Sequence, residues 1–75
     1  MKVYERETRG VIRRFLRRQI AFPNCIAALD AALAGLLPRL KPEQLDQVRA
    51  LMLANNETVM TEMALRSKKV RQLRS

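Results

Sequence analysis

The chain has 75 residues, 15 Lys and Arg against 7 Asp and Glu, a formal charge of +8, and neither His nor Trp. That length holds one small domain, and without His the Ser-His-Asp triad, imidazole acid–base catalysis and most metal sites are excluded. The single Cys25 has no partner for a bridge within the chain, and a hydrophobic fraction of 48% belongs to a folded protein rather than a disordered basic tail.

The first predicted element is a helix from about residue 5 to 21. Val11, Ile12, Phe15 and Leu16 recur at helical spacing, with Tyr4 and Phe22 on the same side. Arg6, Arg9, Arg13, Arg14, Arg17 and Arg18 fill the other half of the wheel, making the segment amphipathic. Arginines one turn apart repel by a few tenths of a kcal/mol per pair. No acid relieves them on that face, which points to an external anion.

Phe22-Pro23-Asn24 ends this helix, because proline disfavours helical geometry in the residue before it. A second helix runs from about 24 to 37, with Pro23 near its first position or Asn24 as its N-cap. Ile26, Leu29, Leu33, Leu36 and Leu37 form one face, and Ala27, Ala28, Ala31, Ala32 and Ala34 the other. Asp30 is the one charge between Pro23 and Pro38. A helix so uniformly apolar is expected to be covered on nearly all sides.

The third helix begins at Pro42, with Glu43 beside its positive end. Leu45, Val48, Met52, Val59, Met63, Val70 and Leu73 lie on one stripe, interrupted by Asn55, Asn56 and Arg66. One continuous helix over 42–66 is favoured, with 67–75 as a basic tail or frayed end. The rival reading breaks it after Ala54, and Leu53 to Val59 then resembles the turn and helix start of a helix-turn-helix. The turn lacks Gly, however, and Glu57 and Glu62 would bring negative charge to the reading helix.

The predicted fold is thus all-α: a helical hairpin plus a long C-terminal helix in a small three-helix bundle. Domains this small bury little area. Leu53, Met60 and Ala64 form a further apolar strip, so a homodimer is expected to complete the core. Leu53, Asn55, Met60, Ala28 and Ala32 are its candidate interface, Asn55 acting as a register-setting polar residue. The alternative is a monomer whose helices cover one another.

Charge is segregated along the chain. Residues 1–22 carry a net +5, residues 23–62 a net −2 and residues 63–75 a net +5. Clustering of this kind suggests a surface made for an anion. Eleven of the basic residues are Arg, whose paired donors match phosphate oxygens. The candidate nucleic-acid contacts are Arg9, Arg13, Arg14, Arg17 and Arg18, with Lys68, Lys69, Arg71 and Arg74 as a second group. The expected function is a small basic regulator binding DNA or RNA mainly through phosphates. The alternative is an adaptor, inhibitor or assembly factor that sets the Arg helix against an acidic protein surface. Peripheral membrane binding by the first helix is a weaker third reading, since its apolar side lacks Trp and is needed for a core.

No motif for catalysis, a metal or a cofactor stands out. Asp30 is isolated, and Glu43 with Asp46, and Glu57 with Glu62, suit helix-start and solvated positions. Cys25 is expected to be a buried thiol, although the helix start beside it could lower its pKa. The longest uncharged stretch, residues 19–29, falls well short of the roughly 20 apolar residues that span a bilayer. No apolar segment follows the charged N-terminus, so a cytoplasmic location is expected.

Overall fold

The computed structural model describes residues 1–74, with side-chain surroundings described as far as Lys69. These residues form three α-helices and no strand: α1 (Lys2–Leu16), α2 (Phe22–Leu36) and α3 (Leu45–Arg74). Two short 3-10 turns, Leu37–Arg39 and Pro42–Gln44, link α2 to α3.

Helix α1 starts three residues earlier than its pattern predicts and stops five residues sooner. Met1 caps its start without a side-chain bond, Glu5 sits in the first turn, and Arg13 and Arg14 in the last turn suit the dipole. Its end is a Schellman motif: the Arg18 N–H donates to the Phe15 carbonyl at 3.0 Å and the Gln19 N–H to the Arg14 carbonyl at 2.8 Å. That geometry places Arg18 in the left-handed region at φ 62°, a position usually held by Gly. The buried face is Tyr4, Thr8, Val11, Ile12 and Phe15, while Leu16 lies outside it at 43% exposure. The buried Thr8 hydroxyl is satisfied within the helix, donating to the Tyr4 carbonyl at 2.9 Å.

Helix α2 begins with Ala21 as its N-cap and Pro23 in its first turn, so Asn24 lies inside the helix instead of capping it. Cys25 and Leu29 point into the core, and Phe22, Ile26 and Ala28 pack against it. The expectation that neighbours cover this helix on nearly all sides fails: Ala27, Ala31 and Ala34 are exposed. Alanine makes this inexpensive, since its methyl exposes little area and it is the strongest helix former. Leu37, assigned to the apolar face by periodicity, falls in the 3-10 turn and is exposed.

Helix α3 is continuous through Asn55 and Asn56, so the helix-turn-helix reading is overturned: the supposed turn is mid-helix. The α-helix proper starts at Leu45. Before it, the Gln44 side chain accepts a hydrogen bond from the Lys41 N–H at 3.2 Å. It extends to Arg74 rather than fraying after residue 66. Val48 and Val59 are buried and Met52 and Met63 half-buried, but Leu45 is exposed; the side chains of Val70 and Leu73 lie outside the described residues.

Helix α1 is the element that packs on both others. The Phe15 and Phe22 rings meet at 6.4 Å, and Tyr4 shares a cavity with Gly35 and Leu36, so α2 runs antiparallel to α1. Thr8 and Ile12 face Leu51 and Asn55, and Phe15 meets Val59 and Arg66, so α3 runs parallel to α1. Among the described residues no Cα of α2 lies within 8 Å of one in α3. A narrow cleft between them is lined by Tyr4, Leu29, Leu33, Met52, Asn55 and Asn56. The molecule measures 51 × 21 × 15 Å, its length set by α3.

Candidate nucleic-acid interface

Opposite the buried face of α1 runs a row of cations. Lys2, Arg6, Arg9, Arg13 and Arg17 recur every three or four residues, and all are exposed. At 1.5 Å per residue the row is about 22 Å long. Arg14 flanks it on one side, and Arg18, also exposed, extends it past the helix end. The sequence pattern finds all of these except Lys2, which was missed because no capping residue marks the true start of α1. The signal that could have found it is its spacing, one turn before Arg6.

Among the described residues none of these cations is held in an ion pair. The one ion pair among those residues is Glu62 with Arg66, at 3.0 Å. Glu5 and Glu7 share the helix but form no such bridge.

Arg66 has a role that the sequence did not indicate. Its Nη2 donates to the Phe15 carbonyl at 2.8 Å, its guanidinium lies 4.4 Å from the centre of the Phe15 ring, and its Nε holds Glu62. One side chain thus ties α3 to the end of α1, placing a positive charge where the α1 dipole is negative. The interruption of the apolar stripe is a clamp.

That clamp decides where the second basic group sits. Because α1 and α3 are parallel and joined at Phe15 and Arg66, Lys68 and Lys69 lie on α3 just past the level at which α1 ends. Both lysines are exposed. Arg71 and Arg74 continue along the α3 backbone, their side chains lying outside the described residues. Groups some 50 positions apart in sequence therefore occupy one end of the molecule. The start of α2 lies at that end too, with no side-chain cap and no acid in its first turn, so its positive dipole end offsets the negative end of α1 beside it.

The five candidate interface residues are divided by the structure. Leu53 and Met60 are 69% and 60% exposed on the side of α3 away from α1. Ala28 packs on the core within the chain, Ala32 lines the cavity with Tyr4 and Gly35, and half-buried Asn55 faces α1 and α2.

Cys25 is fully buried, and burial pushes its thiol above the ordinary range rather than below it, against the dipole alternative. Among the described residues no group of His, Cys, Asp and Glu gathers in a way that could hold a metal ion, and no helix is long and apolar enough to cross a membrane. Most of the apolar side of α1 is consumed by the core, with Val3 and Leu16 left exposed. No protein-family model, curated protein or solved structure matches the chain.

Proposed function

We propose that this protein binds nucleic acid through phosphate contacts made by α1 and the end of α3. The observation that supports the reading is the row of exposed cations along α1, with Lys68 and Lys69 exposed on α3 past the level where α1 ends. Guanidinium forks suit phosphate oxygens, and a rigid helix presents them without ordering a loop first. Six contacts would give a log–log salt slope near −5 on a duplex and about a thousandfold loss between 50 and 200 mM salt.

The test is charge reversal inside and outside the row. Changing Arg13 and Arg17 to Glu should cost most of the binding at low salt, while the same charge change made at Arg39 and Lys41, outside the row, should cost little. Equal losses would reduce the effect to net charge, and a fully active first variant would refute the site. A partner retained after nuclease treatment would point instead to an acidic protein.

In this proposal two copies pair through α3, a reading supported by the exposure of Leu53 and Met60 seven residues apart on one side of the helix. Light scattering should then give the mass of two chains, and Leu53→Glu with Met60→Glu the mass of one. A wild-type mass of one chain would remove the pairing and leave the phosphate site standing.

A further inference from the structure

We infer that the preferred ligand is double-stranded, an inference that rests on the phosphate-binding reading above. Two features select the form of the polymer. The first is where the aromatic rings go. Proteins that hold single strands without sequence preference stack the bases on aromatic side chains. Here Phe15 is fully buried, Tyr4 is 4% exposed, and Phe22 is half-buried against Phe15. The basic end offers no free ring, and the chain has no Trp.

The second feature is the shape of the cationic surface. From Lys2 to Arg13 the row advances in steps of about 4.5–6 Å along one unbroken helix, with Arg17 at its C-cap. Around the helix, Arg9, Arg13, Arg6, Arg17 and Arg14 spread over an arc of about 140°. A straight, wide band of this kind meets two rows of phosphates fixed relative to each other, as a duplex holds them. Its length of about 22 Å corresponds to about six base-pair steps. Nor does the band read bases as adenine readers do. Thr8 and Tyr4 are the only uncharged polar side chains in α1, and both are buried, leaving no Asn or Gln on the helix for an adenine edge. The surface recognises paired phosphodiester strands.

The experiment compares full-length protein on three probes at low salt: duplex DNA of about 20 base pairs, duplex RNA of the same sequence, and an oligo-dT of equal phosphate number. At least one duplex should bind tenfold or more tightly than oligo-dT, with a salt slope near −5. The two duplexes then show whether B-form or A-form paired strands fit the band better. Leu16→Trp places a ring beside Arg13 and Arg17 at a position that is already exposed. It should raise oligo-dT affinity several-fold and leave duplex affinity unchanged. Oligo-dT binding as tight as duplex in the wild type would overturn the inference, as would a Trp variant with no single-strand gain, which would leave charge density as the sole cause. Absence of binding to all three probes would instead remove the phosphate-binding reading itself.

Discussion

Arg18 holds a backbone conformation that favours glycine, so its replacement separates the stability of this protein from its proposed binding. In the left-handed region a Cβ crowds the following carbonyl oxygen, at a cost of roughly 1–2 kcal/mol. Arg18→Gly relieves that cost, while the freer unfolded chain takes back about 0.4–1 kcal/mol. Nothing else is lost, since the side chain is exposed and makes no bond within the chain among the described residues. The expected net gain is about 1 kcal/mol, or about 5 °C in Tm for a domain of this size. Arg18→Ala is the control: it removes the same charge but keeps the Cβ, so it should not melt higher. Both variants should lose about 0.9 from the salt slope of duplex binding, one phosphate contact each. Thermal melts followed by circular dichroism decide the matter. A glycine variant melting at or below wild type would show that the end of α1 is not strained at Arg18.

Arg66→Met keeps the stem of the side chain but removes its bond to the Phe15 carbonyl, its ring contact and its ion pair, and should cost about 2 kcal/mol in urea unfolding. Glu62→Gln removes only the ion pair and should cost no more than about 0.5 kcal/mol; equal losses would contradict the clamp. Burial pushes the Cys25 thiol and the Tyr4 phenol up, so the folded state favours their neutral forms. Their contribution is therefore complete below the ordinary thiol pKa of about 8.5 and is lost as pH rises through the raised folded values. Tm should fall from about pH 8.5 upward, and less steeply in Cys25→Ala; a Tm that rises with pH would contradict this sign.

The sequence carried the periodic features and missed those that depend on tertiary contacts or unusual caps. The arginine row and the continuity of α3 were legible because each repeats over several turns, and two asparagines do not break a helix whose apolar stripe resumes at Val59. The ends of α1 were not legible. Its start has no Ser, Thr, Asp or Asn to mark it, and its stop uses Arg18 where a glycine would have signalled the turn. The alanine face of α2 was expected to be covered because hydropathy scores a methyl as apolar, though its exposure costs little. Arg66 looked like a fault in the stripe because its partner, Phe15, lies 51 positions away. That Lys68 and Lys69 follow the end of α1 along the long axis was hidden for the same reason, as it depends on the parallel run of α1 and α3.

Whether the two basic groups act as one surface is the claim on which the rest turns. The direct measurement is the duplex-binding salt slope of three variants: Arg13→Gln with Arg17→Gln, Lys68→Gln with Lys69→Gln, and all four together. Each pair should lower the slope by about 1.8, and the fourfold variant by about 3.6. If the lysine pair changes nothing while the arginine pair acts alone, the end of α3 is a bystander and the shared surface does not exist.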